Sequence, residues 1–277
     1  MTTEIILMWA AVTLYAGGAV LYAVGTVFRK DLLLRWALWI SLGGLLPHTM
    51  AIAIRWARTA HGPYLGFYEV VSSYAWASVV VLAILTWRWR KMRYLGVIVM
   101  PIAFVMLAAA MFTPSADLEV TGNLASWWLV IHVVFAMLSY SAFVGAFAIA
   151  VAYLYRGRAG SSLAHDVLER LPRQEVLDEL SFRLVAVGFV FLGIMIATGA
   201  IWANEAWGRY WGWDPIETWS LISWIIYALY LHLRLTMGWK GRKAAWLAAA
   251  ALPVVLFALL GVPLVYNSIH GAYLTGY

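Results

Sequence analysis

Two sets of residues in this sequence have types and spacings that can do chemistry: six histidines and the stretch 202–219. The stretch carries Trp202, Trp207, Trp211, Trp213 and Trp219, with Tyr210, Gly208, Gly212, Pro215 and a single cation, Arg209. Connecting segments favour small polar residues, so a run this aromatic is read as a shelf for a large, flat, apolar ligand. Haem fits that description. It needs flat apolar walls, axial ligands for its iron, and cations or donors for its propionates. The tryptophans supply walls, and the Arg209 guanidinium matches a propionate carboxylate. Gly208 and Gly212 would let backbone approach the ring. An interfacial aromatic belt would be spread over many helix ends; here the rings are concentrated in one segment.

The elements that position these residues follow from composition. The 277 residues are 64% hydrophobic and 12% charged, whereas soluble domains carry about 25% charged residues. The apolar residues form long blocks. The expected fold is therefore all-α, a polytopic membrane protein of eight transmembrane helices, because only helices or closed barrels satisfy backbone groups in lipid. The spans are read at 5–28, 32–54, 68–87, 94–112, 127–155, 182–203, 218–235 and 246–266, within one integral membrane domain, 1–277. The first span lacks a small-residue cleavage site and is read as retained.

Of the 19 Lys and Arg residues, all but Arg55, Arg58 and Arg209 fall in alternate connections. By the positive-inside rule those connections are cytoplasmic, which puts both termini and the tryptophan-rich loop outside. This distribution accounts for the net charge of +6 without nucleic acid. The inner linker 156–181 reads as a short amphipathic helix, a break at Pro172, and a helical lead into the sixth span. The outer segment 113–126, with Pro114 and Gly122, reads as an ordinary loop. With no cysteine, the chain has no disulfide, thiolate ligand or iron–sulfur cluster of its own. No phosphate-binding or dinucleotide motif is present.

The spans sort the histidines by depth. His132 lies about 8 Å inside the outer end of the fifth span, and His270 stands just beyond the eighth. Both can flank the tryptophan loop, and two neutral imidazoles are a common axial pair for haem iron. His232 lies about 21 Å into the seventh span, toward the cytoplasmic side. It is either a snorkelling interfacial residue or an iron ligand whose partner comes from another subunit or the substrate. His48 could touch the outer site or make a polar contact between helices. His61 and His165 read as solvated. Asp-Pro-x-Glu at 214–217 fits an N-cap, a first-turn proline and a capping-box glutamate. Helix initiation is thus the primary role of both acids, and Asp214, closing the loop, stays among the candidate ligand contacts. Glu69 reads as a helix-start acid without chemistry.

Trp207-Gly-Arg-Tyr-Trp-Gly-Trp-Asp-Pro-Ile-Glu-Thr-Trp219, the segment from Trp224 to Arg234, the surroundings of His132, and the tail around Asn267 and His270 resemble the CcsA (ResC) family. These are cytochrome c biogenesis proteins of System II, within a tryptophan-rich (WWD) haem-handling group that includes CcmC and CcmF. Ile216 stands where the family usually has lysine, and Ser268-Ile269-His270-Gly271 where it usually has Gly-Leu-His-Ser. The resemblance implies a subunit of a cytochrome c synthase, or haem lyase, working with a CcsB/ResB-type membrane partner. It implies that haem b is cargo, delivered to the outer face for thioether attachment to Cys-x-x-Cys-His of an apocytochrome c. His132 and His270 would be the outer axial ligands. His232 would be one ligand of a membrane-embedded site completed by the partner. The expected setting is lipid of the bacterial cytoplasmic membrane, or a thylakoid membrane in a plastid. Two other readings stay open: an exporter of haem or another aromatic solute, and a non-catalytic membrane subunit of a respiratory complex.

Overall fold

The computed structural model describes residues 2–113, 117, 120, 122–156 and 171–270. His165, Arg158, Arg170, Pro114 and the first part of the inner linker's helical pattern lie outside the described residues. Among the described residues eight helical spans are long and apolar enough to cross a membrane, and there is no strand. The protein is an all-α, multi-pass membrane protein, as its hydropathy pattern implies.

The spans are α1 (Thr2–Val27), α2 (Asp31–Gly43) with α3 (Leu45–Thr59), α4 (Gly66–Arg88), and α5 (Gly96–Met111). They continue with α6 (Trp127–Arg156), α7 (Gln174–Trp207), α8 (Pro215–Leu235), and α9 (Arg242–Leu256) running on to α10 (Val262–Val265). Three departures from plain helices matter. The second span breaks at Gly44. The fourth is entered through a 3₁₀ turn, Arg90–Leu95. The last carries a π-turn, Phe257–Gly261, between α9 and α10. The helix α7 has 34 residues, about 51 Å at 1.5 Å per residue. That exceeds the roughly 30 Å hydrocarbon core. The helical lead at 174–181 and the tryptophans at the far end are therefore parts of one rod.

α6 and α7 form the most extensively packed pair among the described helices, with α4 and α9 against α6 and with α1–α5 as a flanking group. The α6 side of the core is built from small residues, among them Ser139, Ala142, Gly145, Ala146 and Ala148. Small side chains let membrane helices approach closely, where packing replaces the absent hydrophobic drive. Ser139 donates to the Gly188 carbonyl at 2.9 Å, and Ser181 to that of Ala146 at 3.3 Å, so the α6–α7 contact is also hydrogen-bonded.

Ion pairs tie the helix ends. At one end Asp31 accepts from Arg93 at 3.2 Å and from Tyr94 at 2.8 Å, and Asp178 accepts from Arg234 at 2.8 Å and from the Gly241 N–H at 2.8 Å. At the other end the network is buried. Arg55 donates to Glu69 at 2.5 Å and to Glu4 at 3.1 Å, while Arg58 bonds Glu4 at 2.7 Å and also Asp117. Glu69 further accepts the Leu65 N–H at 3.0 Å. It starts α4, as its position implies, and it also holds the centre of a cross-helix ion network. Two histidines belong to the same region. His61 is buried rather than solvated: its Nδ1 lies 2.8 Å from the Gly62 carbonyl and 3.8 Å from Glu69, because the 60–65 turn folds back over that network. His48 is fully buried, with Nδ1 3.2 Å from the Tyr15 hydroxyl and Nε2 2.9 Å from that of Ser72. Both of its ring nitrogens join helices, so the polar contact between helices is the alternative realised.

Candidate functional site

A cavity open to solvent, with about 1120 Å³ of empty space when the adjoining solvent is included, lies among α4, α6, α7, α8 and the π-turn. Its walls are apolar, formed by side chains such as Val70, Leu129, Val133, Ala136, Ile196 and Leu259. His132 and His270 both line it, although 138 positions separate them in sequence.

His132 is carried by the N-terminal turns of α6. Its Nδ1 lies 2.8 Å from the Met195 carbonyl on α7. A carbonyl can only accept, so Nδ1 donates, and in the neutral ring Nε2 keeps its lone pair. The contact depends on Gly199: a Cβ there would stand 2.5 Å from His132 Nδ1 and 2.8 Å from Cε1. The imidazole therefore lies directly on the α7 backbone.

His270 follows α10. Its Nδ1 donates to Asp214 Oδ1 at 3.1 Å, which again leaves Nε2 as the free nitrogen. Asp214 is also the N-cap of α8: its side chain accepts the Ile216 N–H at 3.0 Å and forms a capping box with Glu217, with Pro215 in the first turn. The same carboxylate accepts Ser268 Oγ at 2.6 Å and the Ile269 N–H at 2.8 Å. Burial pushes the Asp214 carboxyl up, but the bonds from His270, Ser268 and Ile269 outweigh it and hold the group well below the usual carboxylate range. The expected helix-start role of Asp214 is present, together with a second one: it orients an imidazole, as carboxylates do for metal-ligating histidines.

The tryptophan segment divides between helix and loop. Trp202 and Trp207 belong to the last turns of α7, which ends at Gly208 with φ 71°. A helix C-terminus in the left-handed region favours glycine. Trp202 is buried, donates Nε1–H to the Asn123 carbonyl at 2.8 Å, and meets Trp207 edge-on at 5.1 Å. Both rings flank His270, at 5.9 and 4.8 Å. Of the loop proper, Tyr210 and Trp211 line the cavity. Trp213 takes φ 57°, which costs a non-glycine residue about 1–2 kcal/mol. Glu217 stabilises that turn by accepting the Gly212 and Asp214 N–H groups at 2.8 and 3.1 Å. The Trp213 ring is 70% exposed and meets Trp211 edge-on. Arg209 is exposed and folds back over Gly212, whose Cβ would stand 2.5 Å from the guanidinium carbon. Gly212 thus receives Arg209 rather than a ligand ring.

The chain also matches known proteins across the residues that build this cavity. A model of the cytochrome c assembly protein family matches residues 64–270, which contain every residue of the cavity wall. The chain belongs to the cytochrome c assembly protein family. It is 35% identical to the cytochrome c biogenesis protein CcsA of Prochlorococcus marinus (strain MIT 9301), over 90% of this chain and 87% of that one. It is 33% identical to CcsA of Synechocystis sp., over 90% and 91%. Among solved structures, the cytochrome c haem lyase CcmF has the same fold, with a TM-score of 0.68 and 19% identity over 94% of this chain. The chain spans about half the length of that structure, 48%.

Within the family frame, His132 and His270 come together, and His232 and His48 stand apart from them. His232 is exposed on α8 near its C-terminal end, with the Thr236 hydroxyl 3.4 Å from Nδ1. It does not line the cavity. The sequence reading missed four contributors: Gly199, Asn123, and the cavity tyrosines Tyr74 and Tyr140, whose rings are 5.2 Å apart. Asn123 belongs to the segment read as an ordinary loop, yet its side chain also donates to the Ala206 carbonyl at 2.9 Å, and neighbouring Ser126 donates to Glu205 at 2.6 Å. That segment clamps the end of α7.

Proposed function

We propose that this protein is the haem-handling membrane subunit of a cytochrome c synthase, and that the cavity holds haem b as cargo through His132 and His270. The observation that carries this reading is the shared geometry of the two histidines: both line one apolar cavity, and each has its Nδ1 engaged as a donor. Two neutral imidazoles presenting Nε2 suit haem iron. Trp202, Trp207 and Trp211 supply the aromatic surroundings, and Arg209, next in sequence to cavity-lining Tyr210, is the loop's one cation for a propionate.

The cargo is presented on the outer side of the bacterial cytoplasmic membrane, where the tryptophan loop and both termini lie. There it meets the Cys-x-x-Cys-His segment of an apocytochrome c. Each thiol adds across one vinyl group, sulfur to one carbon and hydrogen to the other, and nothing leaves. This chain's residues orient the macrocycle and exclude alternatives; the reactivity belongs to the vinyl and thiol groups. His232, outward-facing at the inner end of α8, contributes one ligand of an entry site completed by a CcsB/ResB-type partner subunit.

An absorbance spectrum tests the central claim. Purified protein is expected to carry haem with a low-spin, two-histidine signature, and His132→Ala and His270→Ala each to lose that signature and cytochrome c maturation. A haem-free wild type, with both substitutions leaving maturation intact, sinks the reading.

A further inference from the structure

The two proposed axial ligands are mounted in different ways. We infer that His132 is the permanent ligand and His270 the exchangeable one, so that the histidine of the incoming Cys-x-x-Cys-His segment takes the place of His270. This rests on the reading of the cavity as a haem site.

His132 has no way to withdraw. Its ring lies against the backbone of α7 at Gly199, where even a methyl group would overlap it, and its Nδ1 is held by the Met195 carbonyl. Backing the imidazole away from the cavity requires α6 and α7 to part, and they are the most extensively packed helix pair among the described residues. The face behind the ring is closed to a peptide for the same reason.

His270 is held differently. It sits five positions past the end of α10 at Val265. Among the described residues its ring has one hydrogen bond, to Asp214, an edge contact with Trp207 and a tilted contact with Trp202. The backbone around it is anchored separately, through Ser268 Oγ and the Ile269 N–H on the same carboxylate. The ring can therefore turn away by losing one hydrogen bond while the segment stays in place. A rigid ligand on α6 and a releasable one on the tail keep the cargo bound throughout exchange.

The test uses full-length wild type, His132→Gly and His270→Gly, each loaded with haem. Free imidazole is expected to restore a six-coordinate low-spin spectrum in both variants, which also shows that they fold. A peptide bearing Ala-x-x-Ala-His, which offers the histidine but cannot form thioethers, is expected to restore it in His270→Gly at a concentration at least tenfold lower than in His132→Gly. Equal restoration, the opposite order, or no restoration by peptide where imidazole succeeds overturns the assignment and leaves the haem reading intact. A wild type without a histidine–iron spectrum overturns both. A second measurement needs neither glycine variant: Asp214→Asn, which loosens the His270 ring, is expected to lower several-fold the peptide concentration that shifts the spectrum, and unchanged or weaker peptide binding overturns the inference.

Discussion

Asp214 Oδ1 accepts the Nδ1–H of His270 at 3.1 Å while the same side chain caps α8 through the Ile216 N–H at 3.0 Å. One carboxylate thus joins the start of one span to the residue that follows another. Asparagine caps helices about as well as aspartate, whereas alanine costs about 0.5–2 kcal/mol. Asp214→Asn should therefore leave the melting temperature nearly unchanged and lower haem retention about 10–100-fold, the usual effect of removing a histidine's carboxylate partner. Asp214→Ala should lower both. Haem absorbance per protein and a thermal melt in detergent separate the two effects.

Gly199→Ala places a methyl group where the His132 ring now lies. The low-spin fraction of bound haem should fall, and the same substitution made in His132→Gly with added imidazole should change nothing. An equal loss in both backgrounds would mean that the glycine serves helix packing alone.

The buried network at the loop end predicts unequal arginines. The Arg55 side chain is 7% exposed and its partners Glu4 and Glu69 are 2% and 3% exposed. Breaking a buried pair on one side costs about 3–5 kcal/mol, because the remaining charge is left uncompensated. Arg55→Ala should then abolish or strongly reduce folded protein. Arg58 is 27% exposed and pairs partly with half-exposed Asp117, so Arg58→Ala should cost far less. The check is the yield of monodisperse protein after extraction.

His48→Ala removes a ring with both nitrogens bonded between helices. It leaves the Ser72 and Tyr15 hydroxyls unpaired and should destabilise by about 1–3 kcal/mol. The haem spectrum should be unchanged, since His48 does not line the cavity. A changed axial-ligand signature would return His48 to the site.

How far these features were legible in the sequence depended on their physical range. Eight spans are local signals, readable from hydropathy, and the depth of His132 in its span was enough to place it beside the tryptophans. The N-cap at Asp214 is likewise a local pattern of four residues. The pairing of Asp214 with His270, of Arg55 with Glu4, and of His132 with Gly199 joins residues dozens of positions apart, and no periodicity encodes such a pairing. Trp202 and Trp207 were grouped with the loop because aromatic content marks an interface without marking where a helix ends. His61 reads as solvated because it lies in a connecting loop, yet that loop folds over a buried ion network and takes the ring with it.

The π-turn at Phe257–Gly261 has a bearing on all of this. A single surplus residue in a helical ladder advances everything after it by about 100° around the axis. The last span therefore works like a lock tumbler set one notch from its rest position: the turn directs Ala258 and Leu259 to the cavity and fixes the azimuth at which the tail bearing His270 departs. Deleting one residue there would keep the composition, length class and hydropathy of the span, yet point the tail about a quarter-turn away from Asp214.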